Sequence, residues 1–86
     1  MTAAARALIC RAIESVEMVI GREDYPLADH ALKELRRMLS EIDSGSVPER
    51  RWRGTGIGRL ALDSWPNTEQ TNPDVMQAAE AYLSLP

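Results

Sequence analysis

The sequence predicts an all-α fold, in which an antiparallel helical hairpin (about residues 3–20 and 26–43) is capped by a C-terminal helix at about residues 73–84. In both hairpin segments apolar residues recur every three to four positions, which is the spacing of one helix face. Glycines stand where these two patterns stop. No pair of strand-like segments is present that could form a sheet. The 86 residues (1–86) fit a single small helical domain.

The first helix is predicted from an apolar stripe that begins near the N-terminus. Its members are Ala5, Leu8, Ile9, Ala12, Ile13, Val16, Val19 and Ile20. Gly21 can take the left-handed conformation that commonly follows a helix. Only a few residues separate this stripe from the next one, so the two helices are expected to be antiparallel neighbours.

The second helix is predicted at about residues 26–43. Its apolar face consists of Leu27, Ala28, Ala31, Leu32, Leu35, Met38, Leu39 and Ile42. Asp24 and Pro26 are expected to start this helix, and Gly45 is expected to end it. Both stripes are wider than two facing helices can cover. A third element is therefore required, and some tendency to form a homodimer is expected.

The segment that follows is predicted to be irregular and rich in Gly, Arg and Trp. Residues 46–49 (Ser-Val-Pro-Glu) match a capping box, in which a serine and a glutamate three residues apart satisfy a helix start. Residues 57–65 fit either a short helix or a strand, and the helix is favoured because no partner strand exists. Asn72, followed by Pro73, is expected to cap the final helix.

Composition limits the functional classes. The net charge is −3 and the pI is near 5.0, which argues weakly against a protein that coats nucleic acid. The single cysteine, Cys10, excludes an internal disulfide and is typical of a reducing compartment. No apolar run is long enough to span a bilayer, and no signal peptide is indicated. These features predict a soluble cytoplasmic protein with no membrane partner.

No catalytic, cofactor-binding or metal-binding residue is predicted. His30 and Cys10 have no second ligand at a useful spacing. The run of alternating glycines at residues 54–58 lacks the lysine and the preceding strand of a phosphate-binding loop. Glu14 and Glu17 lie on the exposed side of a helix, where no cleft is indicated. An enzyme would need a partner chain to complete its site, so a non-enzymatic protein is expected.

The candidate partner-binding residues are Arg50, Arg51, Trp52, Arg53, Arg59 and Met18. Residues 46–60 hold four arginines and one acid, a local charge of +3 in an acidic chain. Arginines beside an aromatic side chain suit a protein interface, and they also suit phosphate contact with base stacking. In a third interpretation, Trp52 plugs the hairpin and the arginines cover acidic helix ends. Met18 lies opposite the core stripe, where a methionine can serve as an adaptable contact.

The favoured function is therefore a small helical binding protein that acts as an inhibitor or adaptor of a larger protein partner. Stand-alone domains of this size include proteins encoded by phages and mobile elements. The alternative is a small nucleic-acid-binding regulator that uses the segment from Arg50 to Arg59. The Arg50, Arg51 and Arg53 side chains are expected to be exposed, because an unpaired guanidinium is costly to bury. Trp52 is expected to be either core or interface.

Overall fold

The computed structural model describes residues 2–86, and within that range it contains four α-helices and no strand. They are α1 (Thr2–Glu17), α2 (Ala28–Ser44), α3 (Ile57–Ser64) and α4 (Thr71–Leu83). A single 3₁₀ turn, Arg50–Trp52, lies between α2 and α3. The all-α prediction is confirmed, and the ambiguous segment at residues 57–65 is a helix.

The helix α1 lies at the centre of the fold and packs against α2 on one side and α4 on another, while α3 packs on α4. The hairpin of α1 and α2 is antiparallel, since Arg6 pairs with Asp43 at 2.8 Å and Glu17 pairs with Arg36 at 3.0 Å. Leu35, at the centre of the α2 stripe, is fully buried as predicted. The predicted third element is therefore α4, and α3 adds a fourth.

The end of α1 comes earlier than predicted. The helix stops at Glu17, because the next two amides bond to the carbonyl three residues back and not four. Met18 donates to the Ser15 carbonyl at 3.3 Å, and Val19 donates to the Val16 carbonyl at 3.0 Å. This tightened turn keeps Val19 in the core and leaves Ile20 exposed, so the assignment of Ile20 to the core stripe is wrong. Gly21 has a φ of +87°, as expected for the residue that closes the turn.

The start of α2 also differs from the prediction. The helix begins at Ala28, and Leu27 precedes it in the left-handed conformation without a side-chain cap. The preceding residues make tertiary contacts instead of a helical turn. The Tyr25 ring packs edge-on against Trp65 at a centroid separation of 5.3 Å, and the Trp65 indole donates to the Pro26 carbonyl at 2.8 Å. These contacts fix residues 25–26, and the chain turns at Leu27 to enter α2.

The end of α2 is as predicted, whereas the capping box after it does not form. Gly45 has a φ of +70°, its amide bonds to the Ile42 carbonyl, and the next amide, that of Ser46, bonds to the Glu41 carbonyl at 2.9 Å. This is a Schellman arrangement. The Ser46 hydroxyl lies 2.6 Å from that of Ser44, so it is not available to cap the 3₁₀ turn, which has no side-chain cap.

Asn72 is not the cap of α4, contrary to the prediction. The helix starts at Thr71, and the buried Asn72 amide donates to the carbonyls of Ala61 at 2.9 Å and Trp65 at 3.2 Å. These carbonyls belong to the last turn of α3 and its end, where intrahelical partners run out. The Ala61 carbonyl also accepts the Trp65 amide at 3.3 Å, so the Asn72 amide is a second donor to it. Asn72 therefore closes the C-terminus of α3 and links the two helices.

Candidate functional site

The 3₁₀ turn Arg50–Trp52 and its neighbours form the candidate site predicted from the sequence. The turn is closed by the Trp52 amide, which donates to the Glu49 carbonyl at 2.8 Å, and by the Arg53 amide, which donates to the Arg50 carbonyl at 3.2 Å. The backbone of this segment is therefore ordered by its own hydrogen bonds. Its side chains divide into an exposed group and one buried member.

The buried member is Arg53, which is only 4% exposed, so the expectation of an exposed side chain is wrong here. Its guanidinium donates to the Pro48 carbonyl at 2.7 Å, to the Tyr82 carbonyl at 3.3 Å and to the Leu85 carbonyl at 2.5 Å, with longer bonds to Leu83 and Pro86. Carbonyls at a helix C-terminus carry partial negative charge. The expectation failed because it assumed that a buried guanidinium here would be unpaired, whereas backbone carbonyls satisfy this one.

Trp52 is 69% exposed, which excludes the interpretation that this side chain is buried as a cover over the hairpin. Its ring faces the guanidinium of Arg51, whose Cζ lies 5.3 Å from the ring centroid, a cation–π geometry. Arg51 also pairs with Glu49 at 3.1 Å. The aromatic ring is thus presented to solvent beside a charged neighbour, and its backbone is fixed by the turn and by the burial of Arg53.

The positive charge of this surface is smaller than the sequence suggests. Arg53 is directed into the protein, Arg51 pairs with Glu49, and Arg59 pairs with Asp63 at 2.6 Å. The hydrogen bond to Asp63 also raises the pKa of the Arg59 guanidinium above its ordinary value. Arg50 is exposed and makes no ion pair within residues 2–86. The exposed charged groups near Trp52 and along α3 therefore sum to about one positive charge.

Met18 does not join this surface, although it is 82% exposed. It follows the C-terminus of α1, where Ser15 donates a hydrogen bond to Asp74 in the first turn of α4. The 3₁₀ turn is bound through Arg53 to the opposite end of α4. Met18 and Trp52 therefore lie at opposite ends of α4, so one compact contact does not include both.

A second exposed surface was not predicted from the sequence. Between α3 and α4 lies a shallow groove of about 320 Å³, here called the α3–α4 groove, which is lined by Arg59, Leu62, Met76, Ala79, Glu80 and Leu83. Leu62 is 60% exposed and Leu83 is 38% exposed. The signal in the sequence was the spacing of apolar residues on both helices. The pattern of a single helix does not show which of its apolar residues a neighbouring helix leaves uncovered.

The remaining polar groups are engaged in the packing of helices. Asp74 is buried and accepts hydrogen bonds from the Ser15 hydroxyl and from the Gln70 amide, the latter at 3.0 Å. The hydroxyl of Tyr82 donates to Glu41 at 2.5 Å, and burial together with this carboxylate raises the pKa of Tyr82. Every buried side-chain nitrogen and oxygen in the described part of the chain has a partner. These contacts join α1, α2 and α4.

The remaining candidate side chains, those of Cys10, His30 and Glu17, belong to no metal-binding cluster in residues 2–86. Cys10 is half-buried, and its sulfur lies 3.8 Å from an Arg6 nitrogen. His30 is exposed on α2, and Glu17 is held by Arg36. Across residues 2–86 no group of three or more His, Cys, Asp or Glu residues could hold a metal ion. The helices described here include none that is both long enough and apolar enough to cross a membrane.

Comparison of the chain with protein-family models, with curated proteins and with solved structures finds no match in any of the three.

Proposed function

We propose that this domain is a non-enzymatic binding module that acts as an inhibitor or adaptor of a larger protein and contacts it through Trp52. The partner would present an apolar pocket with a carboxylate at its edge. The observation that supports this proposal is the exposure of Trp52 on an ordered 3₁₀ turn. Tryptophan and arginine are enriched among the few residues that carry most of the energy of protein interfaces.

The rigidity of the turn favours binding. The backbone hydrogen bonds of the turn and the burial of Arg53 hold the backbone of Trp52 in place before any partner arrives. An anchor that is already ordered loses less conformational entropy on binding than a mobile one. Arg50, which has no ion-pair partner in the described chain, is placed to meet a carboxylate next to the pocket.

The charge distribution favours a protein over a nucleic acid. Tight binding to a nucleic acid backbone requires several cationic side chains that are free to neutralise phosphates. Two of the three exposed arginines of the segment already pair with Glu49 and Asp63, and Arg53 is internal. One free guanidinium beside one tryptophan suits a pocket on a protein better than an extended phosphate chain.

Site-specific photo-crosslinking tests the proposal in the cell that encodes the protein. A benzophenone amino acid is placed at Trp52 in one variant and at Lys33, on the exposed face of α2, in the control. We expect one protein adduct from position 52 that is absent from position 33 and insensitive to nuclease. Adducts that are identical at both positions, no protein adduct at position 52, or an adduct with nucleic acid would contradict the proposal.

Affinity and stability are then compared for Trp52→Ala against the identified partner. Because Trp52 is largely exposed, its removal should change the free energy of unfolding by less than about 1 kcal/mol. It should weaken partner binding by about 2 kcal/mol or more. Lys33→Ala is the matched control and should alter neither quantity. Equal binding by Trp52→Ala and wild type would exclude Trp52 as the anchor. Loss of the partner's own activity on binding would indicate an inhibitor, and retention would indicate an adaptor.

A further inference from the structure

The α3–α4 groove is a second unoccupied surface, separate from the Trp52 turn. The two helices that form it are antiparallel: Gly58 faces Ala79 near one end, whereas Ala61 contacts Asn72 further along. A Cβ on Gly58 would lie only 3.3 Å from the Ala79 Cβ, so the helix backbones approach closely there. This close approach makes the floor of the groove shallow, and larger side chains stand at its two ends.

Those larger side chains are apolar and incompletely covered. Leu62 on α3 and Leu83 on α4 are both exposed, and Met76 is half-buried between the helices. Leu62 lies one turn after Gly58 towards the end of α3, while Leu83 lies one turn after Ala79 towards the end of α4. The antiparallel arrangement therefore places the two leucines at opposite ends of the groove.

The charges at the rim have opposite signs on the two helices. Arg59 on α3 lines the groove and is highly exposed, and it pairs with Asp63 one turn further along the same helix. Glu80 on α4 lines the groove and makes no ion pair in the described residues, so a partner's Glu80 would be a second carboxylate for Arg59. A two-fold axis through the groove would bring each Arg59 towards the partner's Glu80, and the same pair would form twice. A surface in which one patch complements itself in this way is what a two-fold homodimer requires.

We propose that the α3–α4 groove is the interface of a homodimer, with a second copy of this chain as its occupant. Leu62 and Leu83 of each copy fill the opposite ends of the other copy's groove, and Arg59 lies beside the partner's Glu80. Seven residues line the groove, fewer than the roughly 20–30 residues per side of a standard stable interface. The dimer is therefore weak, with dissociation in the micromolar range or above, and it leaves Trp52 free.

Sedimentation equilibrium of the whole chain tests this proposal with charge variants. Arg59→Glu and Glu80→Arg should each weaken the dimer by about tenfold or more, because each places like charges across the two-fold axis. An equimolar mixture of the two variants should dimerise again, because each variant supplies the charge that the other lacks. The double variant R59E/E80R should also regain the wild-type affinity.

The controls separate this interface from a change in fold and from the proposed Trp52 contact. Asp63→Asn tests whether loss of the Arg59–Asp63 pair alone explains the effect, and it should leave the dimer intact. Trp52→Ala should also leave it intact, so the two proposals fail independently. Leu62→Glu should abolish the dimer while thermal melting stays cooperative. A wild-type chain that is monomeric at millimolar concentration, or a dimer that Leu62→Glu and both charge variants leave unchanged, would overturn the proposal.

Discussion

Two buried polar side chains, Arg53 and Asn72, each close the C-terminal end of a helix to which they do not belong. Arg53 donates to the carbonyls at the end of α4, and Asn72 donates to those at the end of α3. Carbonyls at the end of a helix run out of intrahelical amide partners. The Ala61 and Tyr82 carbonyls each accept one backbone amide at 3.3 Å, and the two side chains supply further donors at these helix ends. In a chain this short the same side chains also tie separate segments together.

Arg53→Ala should destabilise the domain by about 2–4 kcal/mol, because several buried carbonyls lose a charged donor at once. Arg50→Ala, three residues earlier on the exposed side of the turn, should change stability by less than about 0.5 kcal/mol. Urea unfolding followed by circular dichroism measures both. Equal midpoints for the two variants would show that the Arg53 contacts do not contribute to stability.

Asn72→Asp should cost about 1–3 kcal/mol, since it replaces the amide donor by an acceptor that faces two carbonyls. The matched control is Asn67→Asp, which makes the same chemical change on an exposed loop residue and should have almost no effect. Thermal melts at neutral pH compare them. If the two variants had the same melting temperature, the assignment of Asn72 as a link between α3 and α4 would be wrong.

The two buried tyrosines predict the response of stability to alkaline pH. Burial and a nearby carboxylate, Glu69 for Tyr25 and Glu41 for Tyr82, raise the pKa of each phenol above its ordinary value of 10.0. The folded state then holds these protons more tightly than the unfolded state. The contribution of the two protonated phenols to the free energy of unfolding is fully present below pH 10. It is lost as the pH rises through the pKa values of the folded state.

We therefore expect the free energy of unfolding to fall as the pH is raised from about 10 upwards. The double variant Y25F/Y82F should show a shallower decline over the same range, although it is less stable at neutral pH. Chemical unfolding at a series of pH values provides the measurement. A slope that both substitutions leave unchanged would assign the alkaline transition to other groups.

At the scale of the helices, the two ends of α2 adopt the same left-handed backbone conformation with different residues. The helix is preceded by Leu27 and followed by Gly45, and both have left-handed backbone angles, with φ of +61° and +70°. Glycine adopts this region without a penalty, whereas a residue with a Cβ does so at a cost of roughly 1 kcal/mol. Leu27 is exposed, so burial of its side chain does not offset that cost.

Leu27→Gly should therefore leave stability unchanged or raise it by up to about 1 kcal/mol, after the higher entropy of glycine in the unfolded chain is included. Gly45→Ala should lower stability by about 1 kcal/mol, because nothing crowds the added Cβ but its backbone is strained. Leu27→Ala, which keeps the strain, is the control for loss of the side chain. A fall of more than about 1 kcal/mol in Leu27→Gly would show that the exposed leucine stabilises the fold.

The features that could be predicted from the sequence are those set by neighbouring residues. Apolar periodicity predicts the helices, and Gly45 predicts the end of α2, because both signals depend only on local geometry. The role of Asn72 could not be found in this way, since an asparagine before a proline has the same local pattern whether it caps its own helix or another. Arg53 and the α3–α4 groove likewise depend on which segments meet in three dimensions.

At the scale of the whole molecule, stability depends on one small core. Leu35 is fully buried where α1 and α2 meet, and Leu35→Ala should cost about 2–5 kcal/mol. A domain of this size has only a few kcal/mol of net stability, so much of the chain should be unfolded at 25 °C. Lys33→Ala, on the exposed face, should change stability by less than about 0.5 kcal/mol. Calorimetry compares the two variants. Equal melting temperatures would show that the buried and exposed faces of α2 are assigned wrongly.

The expectation of a homodimer remains, although its original reason does not apply. The wide apolar stripes of α1 and α2 were expected to leave a seam for another molecule, but α4 packs against α1 and supplies that cover. One uncovered apolar surface lies instead on the outer side of α3 and α4, where Leu62 is exposed. Any self-association is thereby separated from the core, so a dimer and a monomer can share the same fold.

The capping of α4 by Arg53 has a consequence for local motion. The end of α4 and the 3₁₀ turn are distant in sequence but share one guanidinium, so opening either of them breaks hydrogen bonds that Arg53 makes between the two. Amide hydrogens in these two segments should therefore exchange with deuterium at matching rates, as one cooperative unit. A partner that holds the Trp52 turn closed would slow exchange at the end of α4 as well, at backbone sites it does not touch.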